Sequence, residues 1–165
     1  MERGPFIPLG AAIAVVVCAL DQVLKLWIVN WLELGSRLRI LPGLELVLTL
    51  NTGISYGLFQ QDSMVVRWLL VGIKALAVLL LGVWLARTHV RLTAVALGLI
   101  IGGALGNALD RLVHGAVVDF ILLYVATATW RYDWYVFNLA DAAIVAGVIG
   151  LMYESLWRDR AAKAP

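Results

Sequence analysis

Four apolar stretches, at about residues 8–29, 66–86, 92–112 and 136–157, constrain this chain more than anything else in it. A helix rises about 1.5 Å per residue, so roughly 20 residues cross the ~30 Å of bilayer hydrocarbon, and each stretch is long enough. In 165 residues, four crossings leave no room for a second soluble domain. Residues 1–165 are therefore expected to form a single membrane-embedded domain. The 62% hydrophobic content agrees, since ordinary soluble domains are about 45–50% apolar. A formal net charge of +2 is too mild for a nucleic-acid partner. Seven Trp and five Tyr suit membrane interfaces, where amphipathic rings concentrate.

The single cysteine, Cys18, excludes an intrachain disulfide and a cysteine metal site. It lies in AVVVCAL and reads as a small buried hydrophobe. In a cleavable signal ending at that cysteine, a small residue would precede it. Val17 precedes it here, and the apolar run continues past it through Asp21 and Lys25. The stretch is expected to be a retained helix.

An even number of crossings puts both termini on one side. Arg3, Arg87, Arg91, Arg158, Arg160 and Lys163 lie there, in short segments. Arg37, Arg39, Arg67, Arg111 and Arg131 lie on or near the other side. The denser side is expected to be cytoplasmic, which turns the connections 30–65 and 113–135 outward. In the first, RLRILPGLELVLTL alternates around a Pro42-Gly43 turn signal. Leu44, Leu46, Leu48 and Leu50 would share one face, and Glu45, Val47 and Thr49 the other. A small outer β-sheet in this first loop, apolar side on the membrane, is expected. The second connection ends in TWRYDWYVF, an interfacial aromatic cluster.

The chemistry resides in polar residues that a plain anchor would not need. A charged side chain at the centre of a spanning helix costs about 3 kcal/mol on the insertion scale. Asp21 and Lys25 are four apart on one helical face, acid first, the favourable order for an ion pair. They either neutralise each other within the packing or meet a reacting group. In IGGALGNALDRL, Gly102, Gly103 and Gly106 thin the third stretch for a close neighbour. Asn107 and Arg111 then share a face, marking an interior polar site rather than an arginine reaching for headgroups. Asp119 follows in GAVVDF, and Asn138 and Asp141 lie three apart in FNLAD. Counted from the start of the fourth stretch, Asp141 is about 7 Å deep. Asp119 follows the outward end of the third stretch, so the two carboxylates can meet at one depth.

Two carboxylates in a poorly hydrated place cannot both ionise cheaply, so they share a proton. One can act as general base on a water while the other donates to a carbonyl oxygen. That is peptide hydrolysis without metal, cofactor or covalent intermediate. The only histidines are His89 and His114, no H-E-x-x-H is present, and no serine has an evident histidine partner. Intramembrane acids also mark proton pathways. A relay, however, needs polar groups across the midplane, where only Lys74 stands in the second stretch. A noncatalytic binding scaffold is the third reading. Ion flux without proteolysis would favour a transporter, and binding without turnover a scaffold.

In order, these motifs are D-Q-x-x-K at Asp21–Lys25, N-T-G at Asn51–Gly53, and G-G-A-x-G-N-x-x-D-R at Gly102–Arg111. G-x-V-x-D-F at Gly115–Phe120 and F-N-x-A-D at Phe137–Asp141 complete the set. Together they resemble the lipoprotein signal peptidases (signal peptidase II), over nearly the whole chain. The resemblance implies a bacterial inner-membrane aspartic endopeptidase with both termini cytoplasmic. Such an enzyme would cut prolipoproteins just before a cysteine that already carries diacylglycerol, amid membrane lipids, with no obligatory protein partner and no metal or cofactor. It implies catalytic roles for Asp119 and Asp141, and supporting roles for Asn51, Gly53, Asn107, Arg111 and Asn138. Asp21 and Lys25 become a structural pair. The implied fold has four transmembrane helices, an outer β-cradle and a short amphipathic segment over the site. One departure stands out. After Asn51-Thr52-Gly53 the family more often has small residues and then Phe or Trp, whereas Ile54 and Tyr56 stand here. It bears on packing against the substrate lipid.

Overall fold

A computed structural model describes residues 4–52 and 64–162; within α2 and α4 the side chains of residues 64–67, 69, 70, 74 and 158–162 lie outside the description. Gly53, Ile54 and Tyr56 fall outside the described residues, as does the side chain of Lys74.

Four long helices form: α1 (Ile7–Trp31), α2 (Met64–Arg87), α3 (Arg91–Val113) and α4 (Leu139–Ala162). Pro8 falls in the first turn of α1, where its missing N–H has no partner to lose. Among the described residues, α1, α3 and the Leu139–Trp157 part of α4 are long and apolar enough to cross a membrane. The outward faces of the helices are apolar too; Val15, Leu20, Val23, Leu79, Val145 and Ile149 are all exposed. Such a surface requires a hydrocarbon surrounding.

Helix α3 is the central element, packed against each of the other three helices. Its glycines permit this. A Cβ on Gly103 would lie 2.4 Å from the Ala140 carbonyl oxygen of α4, and one on Gly106 would lie 2.5 Å from Asp21 Oδ2 of α1. The thinned face expected from the sequence is therefore where α1 and α4 approach. One apolar core, of Ala14, Leu85, Ala94, Leu97 and Ile101, lies toward the termini.

At the opposite end stands a four-stranded antiparallel sheet, β1 (Arg37–Leu41), β2 (Leu44–Asn51), β3 (Val117–Ala126) and β4 (Arg131–Asp133), in that spatial order. The expectation of a sheet in the first connection covers only its first half. The second connection supplies β3 and β4, which pair with β2 and with each other. Beneath the sheet, Ile28 of α1 packs with Leu48, Val118 and Phe120, and Leu32 and Leu46 extend this second core. The face that carries Val118, Phe120 and Leu122 is also laced by charge, since Glu45 lies opposite Leu122: Arg131 donates to both oxygens of Glu45 at 3.1 and 2.7 Å, and Arg37 pairs with Asp133 at 2.9 Å. The Arg131 guanidinium also lies 4.0 Å from the Tyr124 ring centroid. Glu45 is consequently buried, and Arg131 keeps its carboxyl below the usual range.

Two irregularities matter for the site. The β2–β3 register changes between Leu46, opposite Ile121, and Thr49, opposite Asp119, so β2 carries one extra residue there. Directly opposed residues share a sheet face. The bulge therefore turns Thr49 and Asn51 onto the face of Asp119, and the strict alternation expected through Leu50 is broken. In the second irregularity, Phe137 exchanges hydrogen bonds with Ile121 at 2.8 and 2.9 Å, tying the chain back to β3 just before α4 starts.

Candidate active site

The site forms where α4 begins. Asn138 precedes the helix and Asp141 is its third residue. Asn138 Oδ1 accepts the Asp141 N–H at 2.9 Å, while Asp141 Oδ2 accepts the Asn138 N–H at 3.3 Å. This is a reciprocal capping box, with Asp in place of the usual Glu or Gln. Asp141 lies about 3 Å inside the helix rather than the 7 Å expected, because residues 136–138 are not helical. The first turn offers unpaired N–H groups and the positive end of the helix dipole, which is how an apolar helix keeps a carboxylate.

Asp119, on β3, is 3% exposed. Its Oδ1 accepts from Asn138 Nδ2 at 2.6 Å and its Oδ2 from Asn51 Nδ2 at 3.0 Å. One buried amide thus joins the two acids: Asn138 donates to Asp119 through its side chain and caps Asp141. Asn107 of α3 completes the set, donating to Asp141 Oδ1 at 2.8 Å and accepting from Asn138 Nδ2 at 3.0 Å. Among the described residues, each of the four carboxylate oxygens accepts a hydrogen bond. Asp119's carboxyl is nevertheless pushed up to about 6, first by burial and then by the Asp141 charge, against the opposing bonds from Asn51 and Asn138.

Behind these amides lies a buried ion cluster. Lys25 Nζ contacts Asp21 Oδ2 at 2.7 Å, Asp110 Oδ2 at 2.8 Å and Asn107 Oδ1 at 2.9 Å. An ammonium has three donors, and all three are used. The expected Asp21–Lys25 pair is therefore present but is one part of a triad. Asp110 is the residue the sequence reading passed over, together with Gln22, whose amide donates to Asp110 Oδ1 at 2.8 Å. Asp110 was visible only as one polar residue near Arg111; its partners are far away in sequence.

Arg111 is buried, with Nη1 donating to the Asn107 carbonyl at 3.1 Å, and its charge couples to Asp119, Asp141 and Asp110. It faces the interior, as the shared face with Asn107 suggested. The structure thus gathers Asp119, Asp141, Asn51, Asn107, Asn138, Arg111, Asp21 and Lys25 into one connected polar site. Among the described residues, no group of three or more His, Cys, Asp or Glu side chains is arranged to hold a metal ion.

The family model for Signal peptidase (SPase) II matches residues 13–157. The chain is 56% identical to a lipoprotein signal peptidase of Nitrobacter hamburgensis, over 96% of this chain and 99% of that one. It is 49% identical to that of Rhodopseudomonas palustris, over 95% and 97%. Two solved bacterial membrane enzymes superpose with TM-scores of 0.77 and 0.74, each 30% identical, covering 99% and 94% of this chain and 96% and 97% of theirs. Sequence, fold and polar site lead to one conclusion: the chain belongs to the signal peptidase II family and is a membrane peptidase.

Proposed function

We propose that the protein is an aspartic endopeptidase that removes the signal peptide from diacylglyceryl-modified prolipoproteins, cutting just before the lipidated cysteine. Asp119 and Asp141 are the catalytic pair. The observation that carries this reading is the Asn138 side chain, bonded at once to the Asp119 carboxylate and to the backbone of Asp141. It holds two acids together in a place where one of them is already reluctant to ionise.

The pair shares one proton. The ionised member takes a proton from water as its oxygen attacks the scissile carbonyl carbon. The protonated member gives its proton to the carbonyl oxygen, yielding a tetrahedral diol. On collapse, the first carboxyl protonates the leaving amine and the second recovers a proton from the diol. The pair ends with the single proton it began with. Asn51, Asn107 and Asn138 orient the carboxylates, and Arg111 places a fixed positive charge behind them. A supporting role for Gly53 belongs to the same reading.

All four helices span the inner membrane, both termini are cytoplasmic, and the sheet forms an outer β-cradle near the headgroups. Stacked Trp27–Trp31 near the sheet and Tyr153–Trp157 far along α4 support two interfacial belts. A lipidated cysteine is held at headgroup depth, the level of a site at the mouth of α4. Membrane lipids surround the enzyme, and no obligatory protein partner is invoked.

The test is cleavage of a diacylated prolipoprotein peptide beside its unlipidated twin. The wild type should cut the first and spare the second. Asp119→Asn and Asp141→Asn should each insert normally and cut neither; normal turnover by either variant overturns the dyad.

A further inference from the structure

The buried triad is joined to the backbone on both sides. Asp110 Oδ2, besides meeting Lys25, accepts the N–H of Val118 at 3.0 Å. Val118 is the residue immediately before Asp119. Asp21, besides meeting Lys25 through Oδ2, accepts the N–H of Ala140 at 2.9 Å through Oδ1. Ala140 is the residue immediately before Asp141. A continuous chain of hydrogen bonds thus runs from β3, through Asp110, Lys25 and Asp21, to the first turn of α4.

We propose that Lys25 is a positioning residue: its ammonium clamps Asp110 to Asp21 and so fixes the spacing between the backbone of Asp119 and that of Asp141. The inference rests on the dyad reading and deepens it. Without the ammonium, β3 and the start of α4 are still tied by the backbone pairing of Phe137 with Ile121, which ends before the helix begins, and by Asn138, whose tie to Asp119 runs through a rotatable amide. The clamp is buried throughout, Asp21 at 0%, Lys25 at 2% and Asp110 at 2% exposure, so its ionic contacts are unscreened by water. A pair needed only for charge balance would not require both acids to hold the backbone beside a candidate catalytic residue. The third Lys25 contact, to Asn107 Oδ1, acts in the same sense, turning the Asn107 amide nitrogen toward Asp141.

Removing Lys25 alone would leave two buried carboxylates facing each other, so the decisive variant is neutral: Lys25→Met with Asp21→Asn and Asp110→Asn. Each asparagine oxygen can still accept its backbone N–H, which keeps both backbone ties, while the ammonium link is lost together with its bond to Asn107 and the Gln22 bond to Asp110 Oδ1. Spin labels at Val125→Cys on β3 and Val145→Cys on α4, both exposed positions, in a Cys18→Ala background, read the spacing of the two elements by pulsed electron resonance without reference to activity. The parent should give one narrow distance, and the neutral variant a broadened distribution. Its kcat on the diacylated peptide should fall by about 100-fold, the scale of an ångström-sized misplacement, with KM within about threefold. An unchanged narrow distance overturns the clamp, as does a broadened distance with full kcat. If Asp119→Asn and Asp141→Asn were active, the dyad would fall, while the label distance would still judge the clamp.

Discussion

Replacing Asp119 by asparagine is expected to end activity and yet make the fold more stable at neutral pH. The Asp119 carboxyl titrates at about 6 in the folded protein, against an ordinary 3.8, chiefly because it is buried. Between those values the folded chain holds a proton that the unfolded chain has released. Stability therefore falls as pH rises through that window, and the loss is complete above it. At about 1.36 kcal/mol per pKa unit, a gap of about 2 corresponds to about 3 kcal/mol. Asparagine carries no charge to desolvate, so that cost disappears. Its NH2 group, however, must face one of the two amide donors, Asn51 or Asn138, at a cost of about 1–2 kcal/mol at every pH. The variant should be the weaker protein below about pH 4, match the wild type near about pH 5, and exceed it by about 1–2 kcal/mol above about pH 7. Unfolding in detergent micelles, followed through the seven tryptophans, reads this directly. A stability difference that stays constant across the range would refute the assignment of a buried, proton-retaining Asp119.

Three further outcomes are expected. Asn51→Ala removes a bond that favours the ionised Asp119, so the acid limb of kcat/KM should move upward by about one pH unit, a bond to a charged group being worth about 1.5 kcal/mol; an unmoved limb counts against that contact. Asn138→Ala deletes a helix cap and the Asp119 donor together, and should cost about 3–4 kcal/mol in denaturation as well as the activity; a loss under about 1 kcal/mol would contradict the buried network. Gly106→Ala drives a Cβ to 2.5 Å from Asp21 Oδ2 and should lower stability by about 1–3 kcal/mol, measured as a drop in Tm, whereas the same change at Gly72, where nothing lies within 4 Å, should not.

The helices were legible because hydrophobic length is a strong local signal. The apolar runs 8–29 and 92–112 fall within α1 and α3, short by at most two residues at each end. The start of the fourth was missed by three residues, since Phe137 and Asn138 are apolar and polar neighbours in either state; only the pairing of Phe137 with Ile121 takes them out of the helix. Strands β1 and β2 were visible by alternation, whereas β3 was not. Val117 to Leu122 is buried or half-buried on both faces, so its sequence shows no period of two. The site residues were legible as costly polar groups in apolar surroundings. Their grouping was not, because Asp110 meets Lys25 and Gln22 from 85 and 88 residues away, and Asn51 reaches Asp119 only through a bulge that the even spacing of its leucines concealed.

The pairing of Ile121 with Phe137 has a further consequence. The chain leaves that point along β3, turns at Thr127–Trp130, and returns along β4 to the same point before entering α4. Everything between is a closed detour, and its length does not enter the path from Asp119 to Asp141. The far bend of the detour is therefore free to lengthen, shorten or carry an inserted peptide tag in related proteins, and an epitope or dye placed there would ride on a working enzyme.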